Sequence, residues 1–301
     1  MSTAPAPVPM PQAGEIAAPP ETYLHELARR LFRQPAAVIG VIFLALVIVP
    51  AIFAPIVAPY DPLAQGLGAP FTPPTLQHLF GTDQFGRDVL SRVIYGGRLS
   101  LSIGIIAVAI GLVGGLVLGF AAGFAGGWAD EGVMRFVDFM LAFPGILLAI
   151  AVVIMLGPSL GNLMIAVGVG GIPGFARLIR GSVLAAKEEE FVHAAQALGA
   201  SSLKVMARHI LPNILAPIVV LITVSLADAI LAGTGLSYLG LGAKPPTPEW
   251  GLMLSDGRDY MQVAWWVSTF PGIAITLAVV GINILGDAMR NAIDPRLRGR
   301  V

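Results

Sequence analysis

The hydrophobic residues of this chain fall into long apolar runs separated by shorter polar intervals. The first run, Ala36–Ala58, contains 23 residues without a charge. A helix of about 20 apolar residues is long enough to cross the hydrocarbon core of a bilayer. Five further runs have a similar length: Leu99–Gly123, Gly132–Leu156, Leu160–Ser182, Pro212–Ser237 and Val267–Met289. The pattern predicts an all-α, polytopic membrane protein with six transmembrane helices.

Two of the runs carry further information. Four glycines recur at every fourth position of the second run, namely Gly111, Gly115, Gly119 and Gly123. Such a stripe lets a neighbouring helix approach closely, so we expect it to pack against another span. The fourth run is the weakest candidate, because glycines, Pro173 and Arg177 interrupt its second half.

The polar intervals suggest how the chain is divided. Residues 1–20 are rich in Pro and Ala and hold one charge, so we expect a disordered tail. The amphipathic stretch 21–34 fits a helix on the membrane surface or a plain extension of the first span. The first run is too long for a signal peptide, which makes it a retained anchor. The predicted units are therefore a tail at 1–20, an arm and first span at 21–58, an external loop at 59–98, a five-helix core at 99–290 that includes a loop at 183–213, and a C-terminal tail at 291–301.

Composition supports a membrane protein, and the distribution of charge predicts its orientation. The chain is 56% hydrophobic and 12% charged, about half the charged fraction of an average soluble protein. Of the 18 Lys and Arg residues, 13 fall on the side that carries both termini and the 183–213 loop. The positive-inside rule therefore predicts cytoplasmic termini in a multi-pass protein of the cell inner membrane.

Motifs for chemistry are missing from the sequence. It has no GxxxxGK[ST] phosphate-binding loop and no Gly-Lys dipeptide, so ATP and Mg²⁺ would have to be bound by partner chains. Cysteine is absent, and the four histidines do not lie at metal-ligand spacing. We predict no catalytic, cofactor or metal site, and hence a protein that is not itself an enzyme.

The apolar runs contain ionisable residues, among them Asp138, Arg177, Asp228 and Asp287. Proton-driven carriers use intramembrane carboxylates for their coupling ion. Asp228 therefore keeps a proton-coupled secondary transporter as an alternative function. A membrane scaffold that transports nothing is the third possibility.

The polar stretch from Glu188 to Asn213 predicts two short helices joined at a glycine. Phe191, Ala194, Ala195 and Leu198 share one helical face. Gly199 lies where a helix prefers a C-terminal glycine, and Ser201 or Ser202 is placed to cap the next helix. A simple connector without a partner is the plain alternative. A DNA-reading helix-turn-helix is disfavoured by the flanking spans and the modest positive charge, so no nucleic-acid partner is expected.

This stretch resembles the cytoplasmic "EAA" loop of ABC importer permeases. Ala194, Ala195, Gly199 and the pair Leu211–Pro212 stand at the spacing of that loop. His193 replaces the usual glutamate and His209 the usual isoleucine, and the ending RHILPN is similar to the peptide-transporter branch. Three further stretches resemble the dipeptide/oligopeptide permeases: GTDQFGRDVLSRVIYGGRLSL (81–101), LSYLGLGAKPPTPEWGLML (236–254) and GDAMRNAIDPRLR (286–298).

The resemblance implies a six-span type I ABC importer permease that forms half of a translocation path. Its implied partners are a second related permease, two cytoplasmic ATPase subunits, an external solute-binding protein and membrane lipid. Dipeptides or oligopeptides are the implied solutes, with nickel chelates or glutathione-like compounds as alternatives. The ATPase-coupling residues would be Glu190, Ala194, Ala195, Leu198, Gly199, Ala200, Ser201, Leu211 and Pro212. Asp83, Arg87, Asp88, Glu249 and Trp250 would order the outward loops for docking of the binding protein.

Overall fold

The computed structural model describes Arg29 and residues 31–293. The predicted tail at 1–20, most of the amphipathic stretch at 21–34 and residues 294–301 lie outside the described residues. The described part is helical, with one isolated β-bridge between Thr82 and Asp88. Its α-helices are α1 (Pro35–Ile52), α2 (Ala54–Val57), α3 (Val89–Ala125), α4 (Gly127–Leu141), α5 (Gly145–Leu156), α6 (Leu160–Lys187), α7 (Glu190–Ala197), α8 (Ser202–Val205), α9 (Leu211–Tyr238), α10 (Trp250–Gly257) and α11 (Trp266–Ile293).

The described residues contain five stretches that are long and apolar enough to cross a membrane. They are α1, α3, α6, the continuous stretch from α8 to α9 and α11. The pair α4 and α5 makes a sixth if it is counted as one bent span. The prediction of an all-α protein with six spans is confirmed in this form.

The third predicted run, Gly132–Leu156, is not one straight helix. α4 and α5 meet at an angle of 90°, and α5 begins directly after Pro144. Proline has no backbone N–H and disfavours helical geometry in the residue before it, so the helix is interrupted there. α4 is also charged, since it carries Asp130, Glu131, Arg135 and Asp138.

Two other helices differ from their predicted bounds. α3 starts at Val89, ten residues before the predicted span, because Asp88 caps it by accepting a hydrogen bond from the Ser91 backbone N–H. The boundary predicted between an external loop and the core at residue 98 therefore falls inside a helix. The run judged weakest forms the 28-residue helix α6, which continues through Pro173.

The glycine stripe of α3 packs against α6, as predicted. All four glycines are buried. A Cβ atom on Gly115 would lie 2.2 Å from the Phe175 Cβ, and one on Gly119 would lie 2.8 Å from the Ala176 carbonyl oxygen. Any larger side chain would push the two helices apart. α3 and α6 therefore form a close-packed pair at the centre of the bundle.

Candidate functional site

The stretch 188–213, called the hairpin below, folds as two short helices followed by a π-helical turn. α7 and α8 are joined at Gly199, and the π-helical turn Met206–Ile210 leads into α9. Gly199 has a φ of +80°, a left-handed conformation that favours glycine. The Gly199 N–H donates to the Gln196 carbonyl, and the Ala200 N–H donates to the Ala195 carbonyl at 3.0 Å. The predicted glycine turn is confirmed.

The hairpin has an inner and an outer face. Val192 and Ala195 of α7 join a buried cluster with Val205 and with Val183 of α6. The outer face exposes Phe191 and Ala194. Leu198 and Leu203 are 89% and 72% exposed, which is unusual for leucine. The outer face is thus an apolar surface that nothing in the described chain covers.

The side chain of Ala195 is not on the exposed face where the sequence placed it. It is 9% exposed and points into the subunit. The reason is the helix register: Val192 and Ala195 are three residues apart and share the inner face. A larger residue at this position would therefore disturb the subunit's own packing.

The other predicted coupling residues differ in exposure and in their place in the hairpin. Glu190 and Ser201 are exposed, and Ala200 is half-buried at the turn. Ser201 occupies the N-cap position of α8, but its side chain makes no capping hydrogen bond. Leu211 is half-buried and Pro212 exposed in the first turn of α9, where a proline is tolerated. Sequence reasoning missed the π-helical turn, a feature frequent at functional sites that the residue pattern does not signal.

The opposite end of the bundle is formed by residues 59–98 and by α10 with its capping residue Glu249, together called the polar block below. Asp83 is its first organising residue. The Asp83 carboxylate accepts hydrogen bonds from the backbone N–H of Phe85 and Arg87 and, at 2.6 Å, from the Arg87 Nε. The Arg92 Nε lies 3.6 Å from the same carboxylate. Arg92 also donates to the Pro62 and Pro246 carbonyls, which ties together two distant loops.

Asp88 is the second organising residue of the polar block. One carboxylate oxygen accepts from the N–H and the hydroxyl of Ser91 at 2.8 and 2.7 Å. The other oxygen lies 3.0 Å from the His78 Nδ1. The capping carboxylate thereby joins the start of α3 to the loop before it.

Glu249 is the third organising residue of the polar block, and it caps α10. Its Oε1 accepts from the Ser100 hydroxyl and the Gly251 N–H, while its Oε2 accepts from the Ser237 hydroxyl and the Leu252 N–H. These four donors belong to α3, α9 and α10, so one carboxylate holds three helices together. The next residue, Trp250, donates from its indole Nε1 to the Val93 carbonyl.

The five residues predicted to order the outward loops for docking are therefore brought together in one part of the fold, but all are buried. They are Asp83, Arg87, Asp88, Glu249 and Trp250. Their side chains cannot touch a partner directly. Ordering of a docking surface stays a prediction for them. Sequence reasoning missed their partners His78, Ser91, Ser100 and Ser237. An aspartate such as Asp88 directly before a helical run is a capping signal that could have found Ser91, since an N-cap side chain accepts from the backbone two or three residues later.

Burial also affects the ionisation of a further carboxyl in the polar block. Asp256 of α10 borders a gap of about 10 Å³ beside Asp83 and Arg92. Desolvation raises the pKa of Asp256, an effect partly opposed by the positive charges of Arg92 and Arg87.

A larger cavity of about 370 Å³, called the central cavity below, lies between helices and opens to the surface of the isolated chain, where its lining residues Ile146 and Asp228 are exposed. Residues of α3, α5, α6 and α9 line it, together with Leu141 at the end of α4. Most of the lining is apolar or glycine, and its polar side chains are Ser225 and Asp228.

Two ion pairs attach α4 to α6 near this cavity. Arg180 binds both carboxylate oxygens of Asp130, at 2.5 and 2.6 Å. Arg177 donates to Asp138 at 2.6 Å. Two of the four ionisable residues noted within apolar runs, Asp138 and Arg177, are therefore partners of each other. Among the described residues, no group of three His, Asp or Glu side chains is arranged to hold a metal ion.

The fold and these features agree with comparisons to known proteins. The family model "Binding-protein-dependent transport system inner membrane component" matches residues 115–299. The model "N-terminal TM domain of oligopeptide transport permease C" matches residues 22–74. The chain belongs to the family of binding-protein-dependent transport system inner membrane components, and thus to the permease subunits of ABC importers.

Two curated relatives indicate which members of this family the chain is similar to. The chain is 48% identical over 283 residues to the glutathione transport system permease protein GsiD of Shigella flexneri serotype 5b (strain 8401), covering 91% of each chain. It is 44% identical over 281 residues to the di/tripeptide transport system permease protein DppC of Pseudomonas aeruginosa (strain UCBPP-PA14), covering 91% of this chain and 93% of the relative.

A solved structure supports the fold. An inward-facing crystal form of the MetNI methionine ABC transporter superposes with a TM-score of 0.55 at 19% identity, over 67% of this chain and 96% of that one. The predicted type I importer permease fold is confirmed. The family also favours the importer subunit over the proton-coupled carrier and the scaffold.

Proposed function

We propose that this chain pairs with a second, related permease to import short peptides or glutathione-like compounds, driven by two separate ATPase subunits. The hairpin is the contact with an ATPase subunit. The observation that carries this proposal is the outer face of the hairpin, where Leu198 and Leu203 are exposed in the isolated chain. Exposed apolar surface of this kind marks protein–protein contacts.

The connections of the hairpin explain how such a contact would drive transport. α6 ends at Lys187 and α7 starts at Glu190, while the π-helical turn continues directly into α9. The inner face of the hairpin packs on Val183 of α6 and Ile214 of α9. Both α6 and α9 line the central cavity. A movement of the ATPase would thus be passed to two walls of the cavity through packed side chains rather than through a loose loop.

The orientation of the chain in the membrane is inferred from its charge distribution. The hairpin lies on the side richer in Lys and Arg, which is cytoplasmic by the positive-inside rule, together with both termini. The polar block then faces outward and receives the solute-binding protein. Its buried network of Asp83, Asp88 and Glu249 would keep the docking surface rigid.

The solute class rests on the relatives. The two described above are named for glutathione and for di- and tripeptides. Both solute types are short peptide-like molecules with a free amino group. We therefore assign this chain to the same solute class, with selection among individual peptides made mainly by the binding protein.

Substitutions on the two faces of the hairpin test the coupling role. Leu198→Asp and Ala194→Leu alter the outer face only, so the subunit should insert at normal levels but lose its ATPase subunits or their response to loaded binding protein. Ala195→Leu is the matched inner-face control: overpacking costs about 1–3 kcal/mol and should lower the amount of folded subunit. Gly199→Val should be strained by about 1–3 kcal/mol at its positive φ.

The readouts are subunit level by immunoblot, assembly by co-purification and ATP hydrolysis in proteoliposomes. Normal ATP-driven uptake by Leu198→Asp and Ala194→Leu, with the complex intact, would show that the hairpin is only a connector.

A further inference from the structure

The two polar side chains of the central cavity, Ser225 and Asp228, lie on the same wall. Ser225, Asp228, Ala229 and Ala232 of α9 line it at spacings of three, four and seven residues, which is one face of a helix. The other walls combine larger apolar side chains, such as Ile146 and Phe175, with glycines, among them Gly145 of α5 and Gly170 and Gly174 of α6. A volume of about 370 Å³ falls in the range of about 300–1,000 Å³ that is typical of small-molecule sites.

Asp228 is the single charged residue in the lining of this cavity. It makes no ion pair with any other residue that the structure describes. Arg177 of α6 lies three residues beyond the cavity-lining Gly174, but its guanidinium is already paired with Asp138. A carboxylate inside an apolar span is costly and usually has a function there. Here it faces an open cavity and not a protein cation.

We propose that Asp228 binds the protonated amino group of the solute during its passage through the subunit. This inference rests on the proposed function, since it takes a short peptide-like molecule as the cargo. An α-amino group has a pKa near 8, so it is mostly charged at neutral pH. Asp228 supplies the negative charge, and Ser225, one turn earlier on the same face, offers a neighbouring hydroxyl. The glycines opposite leave room for side chains of different sizes, so the amino group is the feature held in common.

The absence of cysteine allows a test that removes the charge and then restores it. Asp228→Cys in the cysteine-free chain is assembled into the complete complex in proteoliposomes. The thiol is then modified either with a methanethiosulfonate that carries a sulfonate or with one that carries a trimethylammonium group. Uptake of tri-alanine and of glutathione, presented by the binding protein, is measured together with ATP hydrolysis.

We expect the unmodified cysteine variant to lose about tenfold in transport turnover, roughly the effect of one charge-assisted hydrogen bond. ATP hydrolysis stimulated by the loaded binding protein should stay normal. The sulfonate should restore most of the transport, and the trimethylammonium group should not. The control is Asp287→Cys on α11, which places the same change at an exposed acid outside the cavity lining and should have no such effect.

Three results would overturn the inference: unchanged transport by Asp228→Cys, equal rescue by both reagents, or loss of the second permease from the complex. The last result would make Asp228 an assembly residue. These outcomes differ from a failure of the proposed function, in which the wild-type complex itself would show no ATP-driven uptake of either probe.

Discussion

The two ends of the bundle use polar and apolar residues in opposite ways. The polar block buries its charges: the side chains of Arg87 and Asp83 are 2% and 3% exposed. At the other end the hairpin exposes leucines. An ion pair at that end, between Glu131 and Arg135 of α4, has side chains that are 60% and 78% exposed.

This contrast indicates which end is complete within one chain. In the polar block the buried charged groups Asp83, Arg87, Asp88, Arg92 and Glu249 all have partners inside the subunit, so the block is ordered without help from another protein. The hairpin leaves apolar surface uncovered, which is stable only if a partner covers it. A rigid surface suits the capture of a mobile binding protein, and an incomplete one suits a permanent subunit contact. The following substitutions test whether burial really separates the two ends.

Arg87→Ala should have the largest effect. It leaves the Asp83 carboxylate buried beside Arg92 alone, whose Nε lies 3.6 Å away. Breaking a buried ion pair by removing one partner typically costs about 3–5 kcal/mol. We expect a clear fall in the thermal midpoint of the purified complex and in the subunit level.

The same variant separates two roles for Arg87. If the residue only ordered a docking surface, an excess of binding protein would restore transport. The burial of Arg87 leads us to expect little recovery, because the permease itself is destabilised. The double variant Asp83→Asn/Arg87→Ala should be less harmful than the two single changes added together. Full recovery with excess binding protein would contradict this view.

Glu249→Gln should have an intermediate effect. Each carboxylate oxygen accepts from one serine hydroxyl and one backbone N–H. An amide keeps one acceptor oxygen, so one N–H at the start of α10 loses its partner, while the serine next to the new NH₂ can turn and accept. An orphaned buried group costs about 1–3 kcal/mol.

Thermal unfolding of the complex measures this loss, with the exposed Asp259→Asn as the control. A stability equal to that of the wild type would mean that the carboxylate is not what joins the three helices.

Part of this architecture could be predicted from the sequence. Apolar length alone located the spans, and the glycine spacing found the contact between α3 and α6. The turn at Gly199 followed from the preference of helix ends for glycine. These features depend on local sequence, so a single chain reveals them.

The remainder depends on contacts between distant residues. Asp83 and Glu249 were expected in outward loops because polar loops usually face water. Both are buried because other residues satisfy them. Arg87 and the α3 residue Arg92 lie beside Asp83, and serines on α3 and α9 bind Glu249 over separations as large as the 149 residues between Ser100 and Glu249. The register of α7 could not be predicted from the sequence either, because packing on α6 and α9 decides that Ala195 turns inward and Ala194 outward.

Arg135→Ala should have the smallest effect, and it is the closest control for Arg87→Ala. Both arginines lie four residues after their acid, and each pair has a closest contact of 2.6 Å. They differ in exposure, since Glu131 and Arg135 remain largely solvated. An exposed pair at this spacing on a helix contributes about 0.3–0.5 kcal/mol, because water and salt screen the charges and the long side chains lose freedom.

We therefore expect thermal unfolding of the Arg135→Ala complex to be nearly unchanged at 0.15 M salt, a concentration that screens charges beyond about 8 Å. If Arg135→Ala and Arg87→Ala lowered the midpoint equally, burial would not distinguish the two ends. The exposed pair would then have to be covered in the assembled transporter, and α4 would join the hairpin as part of a subunit contact. The expected result is a loss of several kcal/mol for Arg87→Ala and of a few tenths for Arg135→Ala. With that result, the hairpin would be the incomplete surface at its end of the bundle.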